Sequence, residues 1–336
     1  MLSTPYTASP GRPRAVIVML TYRRPDDLRA ALHLVLAQLE DAPCDGSVLV
    51  IDNDPAASAM ELSTSCDDDR VRFVHEPTPG IAAARNRGLD EACDAELLVF
   101  IDDDERPEPG WLRSLIETWM RTRAAAVMGP VVSIYPEEPE RWIALGGFFN
   151  RRRLPTGTEV TVAGTGNLLL DLRQLRHAGV RFDPRFASGG EDTLFTRELH
   201  RRGGRMVWCD EAVVLDVVPP WRLRRRWVLQ RAFRYGNTWS RVAIDLESGR
   251  LARTRQRVRL TVGGLARVAG GASRLALGMP LRSTRHRARG ARTLARGVGM
   301  TSGAWGYTYA EHRQPGTDPH ARGSADVSHD RANGKY

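Results

Sequence analysis

Short apolar runs recur along the first two thirds of this chain, each followed by a longer stretch with apolar residues at helical spacing, and this alternation constrains the fold more than any other feature. Ala15–Leu20 (AVIVML) reads as a strand buried on both faces, and Pro25–Leu39 as a helix with its leucines on one side. Ser47–Ile51 and Val71–His75 predict two further strands. Ile81–Cys93, following Pro79-Gly80, predicts a helix, and Glu96–Ile101 (ELLVFI) another buried strand. Pro107 and Pro109 mark the start of a helix over Glu108–Arg123, and Ala124–Ile134 supplies a further strand. Strands alternating with helices in this way build an α/β fold, a mostly parallel sheet covered by helices on both faces. In such sheets ligands sit at the carboxyl ends of the strands.

Beyond Tyr135 the pattern loosens into a stretch rich in Pro, Gly and Arg that extends to Ala163 and reads as a mobile loop region. Regular structure returns at Gly166–Leu170, with helices near Asp171–Ala178 and Glu191–Arg202 and strands near Arg205–Cys209 and Val213–Val217. From Trp221 the sequence is helical and Arg-rich. The last residues, Gln314 to Tyr336, have the polar composition of a disordered tail. The expected organisation is a flexible N-terminus (1–13), an α/β unit (14–220), a helical basic region (221–313) and a disordered tail (314–336).

The charge is distributed unevenly. The net of +9 comes from 49 basic and 40 acidic residues, and Lys335 is the one lysine. From Trp221 to Met300 there are 20 Arg against two acids, Asp245 and Glu247. Such a block implies an anionic partner, a membrane surface or a nucleic acid. Nucleic-acid modules set a reading helix or stacking aromatics beside the charge; no such arrangement stands here, and no nucleic acid is expected. Leu260–Leu281 is too polar to span a bilayer, yet its basic and partly apolar character suits a helix lying in the interface. The alternative is a helical subdomain with a solvated Arg face. With no run of 18 apolar residues and no apolar signal in MLSTPYTASPGRPR, the expected location is cytoplasmic, with attachment to the inner face of the cell membrane. The four cysteines are scattered without a CxxC pair and read as reduced thiols packed like small apolar residues.

The chemistry concentrates at strand ends. Glu96–Ile101 runs straight into Asp102-Asp103-Asp104-Glu105. Carboxylates crowded at the end of a buried strand repel one another and are costly unless a cation or water compensates. Asp102 and Asp104, pointing to one side of an extended chain, can share a hard divalent ion such as Mg²⁺ or Mn²⁺ that also grips phosphates. The other reading is an acidic turn capping the next helix. The first strand ends at Thr21-Tyr22-Arg23-Arg24 and the second at Asp52-Asn53-Asp54, residue types that turns favour in any case. In Pro79-Gly80-Ile81-Ala82-Ala83-Ala84-Arg85-Asn86-Arg87-Gly88, small residues allow close helix approach. Arg85 and Asn86 can donate to a diphosphate or nucleoside; alternatively the segment is a well-packed helix with an exposed Arg.

In order and spacing, Thr21-Tyr22-Arg23-Arg24, Ile51-Asp52-Asn53, Pro79-Gly80 with Ala84-Arg85-Asn86, and Phe100-Ile101-Asp102-Asp103-Asp104 resemble the family 2 glycosyltransferases, inverting enzymes of the GT-A fold. The likeness continues through Gly164-Thr165-Gly166-Asn167-Leu168-Leu169, Phe182-Asp183-Pro184-Arg185-Phe186 and Gly189-Gly190-Glu191-Asp192-Thr193-Leu194-Phe195. It covers residues 14 to about 235. The resemblance implies that Asp52 and the Thr21-Tyr22-Arg23 turn hold the nucleoside base, with Asn53, Asn86 and Asp103 beside the nucleotide. It implies that Asp102 contacts ribose or metal, that Asp104 is the principal metal ligand of a DxD motif, and that Arg85 lies near the nucleotide. Glu191-Asp192 resembles the family's ED pair, whose Asp is the catalytic base.

The implied reaction moves a sugar from a nucleotide diphosphate, a UDP-sugar by preference, to a hydroxyl of a glycan, a lipid-linked acceptor or a small molecule. Asp192, close to a helix N-terminus, takes the acceptor proton as general base. Metal and cationic side chains neutralise charge growing on the departing diphosphate. A single displacement inverts the anomeric centre. An acidic helix start with no chemistry is the other reading of Glu191-Asp192. Where many relatives have a His metal ligand on a late strand, this chain has Asp216, which either binds the same ion or is a surface residue. Gln230-Arg231-Ala232-Phe233-Arg234-Tyr235-Gly236 resembles the Gln-Arg-Trp-type element of polysaccharide synthases but lacks the Trp, which argues against processive synthesis. Arg231 and Arg234 either contact phosphate or form an exposed basic helix. Two other functions stay open, a sugar-nucleotide nucleotidyltransferase and a non-catalytic nucleotide-sugar or nucleic-acid binder. Against the first, the N-terminal half has no phosphate-binding Lys; against the second, Asp102, Asp104 and Asp192 are all present.

Overall fold

The structure, a computed structural model, describes residues 11–186 and 189–309; the tail expected beyond Gln314 and most of the N-terminal segment lie outside the described residues. The α/β half contains β1 (Arg14–Thr21), α1 (Pro25–Asp41), β2 (Asp45–Asp52), α2 (Met60–Ser63), β3 (Val71–His75), α3 (Ile81–Glu91), β4 (Leu97–Asp102), β5 (Glu105–Pro107) and α4 (Trp111–Thr122). It continues with β6 (Ala126–Met128), β7 (Val131–Ile134), α5 (Arg141–Gly146), β8 (Glu159–Val160), β9 (Asn167–Asp171), α6 (Leu172–Ala178), α7 (Glu191–Arg201), β10 (Met206–Trp208) and β11 (Val214–Val217). The main sheet has the order β3-β2-β1-β4-β9-β6-β10-β8, and a small sheet the order β5-β11-β7. Pairings in the main sheet are parallel except where β9 meets β4 and β6 and where β8 meets β10.

The apolar runs are continuous because both faces of the sheet are covered. Alternate side chains of a strand point to opposite faces. Ile17 and Met19 of β1, with Leu97, Val99 and Ile101 of β4, pack against Leu28, Leu32 and Val35 of α1 and Trp111, Leu115 and Ile116 of α4. Val18, Leu98 and Phe100 face the other way, toward Ala82 and Ala84 of α3, Leu172 and Leu175 of α6, and Phe195 and Leu199 of α7. Burying one such aliphatic or aromatic side chain contributes about 1.5–3 kcal/mol, so two full layers on one sheet dominate the stability of this half. Pro25 at the first turn and Asp26 and Asp27 beside it suit the α1 N-terminus.

Two expectations need correction. Ala124–Ile134 is not one strand: Gly129-Pro130 breaks it, and β6 and β7 belong to different sheets. A Cβ on Gly129 would strike the Ala212 carbonyl and the Asn167 side chain, while Pro130 lacks an amide to continue a ladder. The stretch from Tyr135 to Ala163 is not a featureless loop either. It holds α5 and β8, and Trp142, Ile143 and Phe149 form a separate buried cluster with Val218 and residues of the helical region. Its aromatic residues outweigh the Pro, Gly and Arg that surround them. Cys44 and Cys209 are buried as expected, but Cys93 is exposed.

After a 3-10 turn at Pro220–Leu223, the helical region comprises α8 (Arg225–Asp245), α9 (Arg250–Leu277) and α10 (Thr284–Ala304). α10 packs against both α8 and α9, and glycine makes this possible. Side chains added at Gly236, Gly299 or Gly303 would collide with backbone across the α8–α10 seam, and at Gly264, Gly271, Gly290 or Gly297 across the α9–α10 seam. α8 in turn rests on the α/β half, where Val242 and Leu246 bury against Phe186 and Leu194.

Two glycine substitutions separate this packing from helix propensity. At Gly299 a Cβ would overlap the Phe233 carbonyl oxygen, whereas at Gly270 nothing lies within 4 Å. Gly299→Ala is expected to lower stability by about 1–3 kcal/mol and Gly270→Ala to raise it by about 0.5–1 kcal/mol, both read from urea midpoints. Equal effects of the two would show that the seam is not close-packed.

Candidate active site

In the sheet order β2 and β3 lie on one side of β1 and β4 on the other. The chain therefore diverges at the carboxyl end of β1 and opens a crevice there, the place where open α/β sheets bind ligands. Register aligns Thr21 with Asp52 and Leu20 with Asp102, so the polar ends of three strands stand level. Thr21 Oγ1 donates to Asp103 Oδ2 at 2.8 Å. Arg24 Nη1 lies 2.8 Å from Asp104 Oδ2 and 3.6 Å from Asp103 Oδ1.

The carboxylate row is folded into a tight turn. Asp102 closes β4, and Glu105 opens β5, where it pairs with Asp216 of β11. Glu105 Oε2 accepts from the Asp102 amide at 3.2 Å. The loop before β9 lies directly on these groups: a Cβ on Gly166 would stand 2.7 Å from Glu105 Oε1 and 3.1 Å from Asp102 Oδ2. Burial pushes the Glu105 carboxyl well above the usual range, with Asp102 adding to the effect. Burial likewise raises Asp102; Arg85 and Arg24 oppose the shift, while Asp104 and Asp192 reinforce it. Asp103 is pushed up to about 7 by burial, despite Thr21 and Arg24. In each case burial is the largest cause, so these carboxyl groups sit where an ionised form is costly.

Asp192 stands at the start of α7, where Gly189 and Gly190 take φ values of +108° and +101°, a backbone shape that favours glycine. Asp192 Oδ1 accepts from the Thr193 amide at 2.6 Å. Its Oδ2 faces the glycine loop, 3.7 Å from where a Cβ on Gly164 would be. Glu191 turns inward and meets Arg85 Nη1 at 2.6 Å, with both side chains less than 10% exposed. Glu191 Oε2 and Arg85 Nε have no partner among the described residues, and burial raises the Glu191 carboxyl against the pull of Arg85.

The remaining residues singled out from the sequence divide into wall and scaffold. Asp52 is fully buried, and its oxygens accept from the amides of Asp54 and Ala59 at 2.9 and 2.7 Å. Asn53 donates to the carbonyls of Glu76 and Thr78 and accepts from the Gly80 amide, tying β2 to the turn before α3. Asn86 is committed to the Phe182 backbone, donating to its carbonyl and accepting from its amide. Tyr22 is exposed at the mouth, and Arg23, at φ +56°, places Nε 3.2 Å from Asp54. Asp216 is buried; Arg151 approaches it to 3.3 Å and Arg222 to 3.9 Å. The fold thus gathers Thr21, Asp102, Asp103, Asp104 and Asp192 around one crevice, with Asp216 one strand away. Glu105 and Gly166 were not foreseen as site residues. Glu105 could have been found as the fourth acid of an unbroken row, and Gly166 has no signal short of the packed loop.

The donor set suits a hard cation, being all carboxylate oxygen and short of positive charge. Among the described residues no three His, Cys, Asp or Glu side chains converge to hold a metal unaided. A divalent ion at Asp102 and Asp104 would therefore draw its remaining ligands from bound phosphates or water, as Mg²⁺ does with one or two carboxylates.

Comparison with known proteins agrees with this geometry. The sequence profile for glycosyl transferase family 2 matches residues 16–173. The succinoglycan biosynthesis protein ExoM of Rhizobium meliloti is 35% identical over 237 residues, spanning 69% of this chain and 76% of that protein. The pre-mycofactocin glycosyltransferase of Mycobacterium tuberculosis is 30% identical over 207 residues, 60% of this chain and 41% of its own. Among solved structures, the mannosyltransferase PcManGT from Pyrobaculum calidifontis, in complex with GDP-Man and Mn²⁺, superposes with a TM-score of 0.58 at 18% identity, covering 90% of each chain. TarS of S. aureus in complex with UDP-GlcNAc gives 0.51 at 12% identity over 83% of this chain and 90% of that one.

The raised Asp103 carboxyl has a consequence for stability. Unfolded, it loses its proton near 3.8; folded, it keeps it to about 7. Between those values the unfolded state releases its proton first, so stability falls as pH rises and the loss is complete above the folded value. Asp103→Asn is expected to stabilise the metal-free protein at pH 8 by up to about 4 kcal/mol and to change little at pH 3.5. Denaturant melts at the two pH values check this, and an equal effect at both would refute the assigned cause.

Proposed function

Since the chain belongs to glycosyltransferase family 2 and is a GT-A transferase using a nucleotide-sugar donor, we propose that it works by a metal-dependent, inverting displacement centred on Asp102, Asp104 and Asp192. The observation that carries this reading is the convergence of the DxD turn of β4 and the α7 start on one crevice, close enough that Asp104 and Asp192 both raise the Asp102 carboxyl. The division into a nucleotide-sugar-binding unit over 14–220 and a basic helical unit over 221–313 belongs to the same reading.

The nucleoside lies against the Thr21–Arg23 turn and the ends of β2 and α3, with a UDP-sugar as the favoured donor. Asp52 and Asn53 keep that wall rigid through the backbone bonds they make. Mg²⁺ or Mn²⁺ held by Asp102 and Asp104 would supply Lewis-acid neutralisation of the diphosphate, with Asp216 on the adjacent strand as a further carboxylate. Arg24 and Arg222, which balance Asp104 in the ligand-free chain at 2.8 and 3.8 Å, are free to turn toward phosphate oxygens. The Arg85–Glu191 pair anchors the first turn of α7 and so positions Asp192. Asp192 Oδ2 accepts the proton of the acceptor hydroxyl as its oxygen bonds to the anomeric carbon. The bond from that carbon to the diphosphate oxygen breaks on the opposite face, so the anomeric configuration inverts. The acceptor is a hydroxyl of a glycan, a lipid-linked sugar or a small molecule, and the succinoglycan biosynthesis protein among the relatives supports a part in polysaccharide assembly.

A second observation supports a membrane-side location. α9 exposes Leu251, Val258, Val262 and Leu265, each more than half accessible and spaced along one helical face. Residues 250–300 carry 13 Arg and no acid. No described helix is long and apolar enough to cross a membrane. Apolar side chains on a basic helix suit the interface of an anionic leaflet, and we propose peripheral attachment to the inner face of the cell membrane.

Two experiments test these readings. Asp192→Asn is expected to lower kcat for transfer by about 10²–10⁴-fold while leaving Mn²⁺-dependent nucleotide binding in place; Asp104→Asn should weaken that binding. Wild-type turnover by Asp192→Asn would end its assignment as base. In flotation assays the full chain should rise with vesicles containing anionic lipid, and Val262→Asp with Leu265→Asp should abolish this. Equal flotation with neutral vesicles would overturn the electrostatic part of the proposal.

A further inference from the structure

One side of α9 is covered by α10 for only part of its length. Arg253, Arg257, Leu260, Gly264 and Gly271 follow at spacings of four, three, four and seven residues, which sets them on a single helix face. Leu260, Gly264 and Gly271 are buried, the glycines against the α10 backbone and Leu260 beside Met300 and Ala304. α10 stops at Ala304. Gly306, at φ +87°, turns the chain back, and Tyr307 and Tyr309 pack on Phe233 of α8. Arg253 and Arg257 therefore continue the inward face of α9 past the end of the helix that covers the rest of it.

A cavity of about 290 Å³ opens in front of them. Its other walls are Arg185 and Phe186, from the 3-10 turn Pro184–Phe186, and Arg241 and Asp245 of α8. The carboxylates here are engaged. Arg185 Nη2 lies 2.5 Å from Asp183 and 3.3 Å from Asp245, and Asp245 also acts on Arg241. Arg253 Nε donates to the Glu247 carbonyl at 3.0 Å. Among the described residues neither Arg253 nor Arg257 makes an ion pair. The ends of α8 and α10 border the cavity through Asp245 and Gly303, and each brings about half a negative charge. Two full guanidinium charges outweigh them.

Two guanidinium groups one helical turn apart, with a third across the gap, suit an anion that carries several oxygens. The exposed apolar stripe of α9 faces elsewhere: between Leu251 and Arg253 the helix turns by about 200°. A lipid headgroup held at that stripe would not meet the cavity, so its ligand is soluble. The cavity is also separate from the catalytic crevice. Thr238 marks where α8 touches the start of α7, and Asp245 lies roughly 10 Å further along that helix.

We propose that Arg185, Arg253 and Arg257 form a binding site for a small soluble anion bearing phosphate or diphosphate. The inference needs nothing from the transferase reading.

The test is calorimetric titration of the full chain with inorganic pyrophosphate in buffer containing EDTA. Replacing Arg253→Gln together with Arg257→Gln is expected to weaken binding at least about tenfold, the loss of charge-assisted contacts. Arg255→Gln with Arg259→Gln removes the same charge from exposed positions of the same helix and should leave binding within about threefold of wild type. Asp245→Asn should tighten it by about threefold, since it deletes a carboxylate from the wall. Arg257→Gln alone serves as a second variant should the double replacement melt early. Binding that is absent, untouched by the Arg253 and Arg257 replacements, or weakened equally by the control pair overturns the site. The source of the anion is read by flotation with anionic vesicles, where the Arg253 and Arg257 double variant should float at least as well as the control pair. Poorer flotation than the control pair would assign the cavity to a lipid headgroup and overturn the soluble ligand.

Discussion

A buried strand that ends in four consecutive acids has to find positive charge, and much of this molecule is arranged around that need. Asp102 and Glu105 sit under the Gly166 loop, where water reaches them poorly. Arg24 reaches in from the end of β1, Arg222 from the 3-10 turn, and Arg85 from α3 through Glu191. Burial nonetheless holds the carboxyl groups of Asp102, Asp103 and Glu105 above their ordinary range. A divalent cation and a diphosphate, arriving together, would give these buried carboxyl groups a counter-charge without changing the net charge greatly. Stored strain of this kind is expected where a site must bind a charged complex and release it.

Beyond Arg222, the helical region is coupled to that site by close packing. Glycines along α10 let its backbone approach both α8 and α9, and α8 carries Arg231, Arg234 and Tyr235 to the edge of the crevice. Thr238 of the same helix fits against Gly190 at the start of α7, so this helix packs on the turn that leads into the proposed base. The preference for Arg over Lys has a physical reason here. A guanidinium can stack on Trp, Tyr and Phe and still present a flat donor edge, and the walls around Arg231 and Arg222 are aromatic.

Some of the site was legible because its chemistry is local. A row of acids directly after ELLVFI is unusual enough in sequence to stand out without a fold, whereas the Gly-Gly-Glu-Asp helix start takes its reading from the family resemblance. Long-range partners were not legible. The side chains of Asn53 and Asn86 are engaged by the backbones of residues 76–80 and of Phe182, partners fixed only by folding. Arg85 meets Glu191, 106 residues away, a partner that spacing along the chain does not reveal. Glu105 is visible as the fourth acid of the row, but its turn into a second sheet is not, because β5 is three residues long, too short for any periodicity to show.

By itself the sequence determined the α/β layering and the acidic character of the strand ends, since these follow from hydrophobic periodicity and from neighbours in the chain. It also determined that the C-terminal third is helical and cationic. Only the tertiary structure decided that Gly129-Pro130 sends one apolar run into two sheets, and that the aromatic residues beyond Tyr135 form a small core with the helical region. It alone brought Arg151, Arg222, Arg231 and Arg234 to a common place beside Asp216. Periodicity reports which face of an element is buried, but not which distant element covers it; that is set by shape and charge complementarity between surfaces that exist only once the chain has folded.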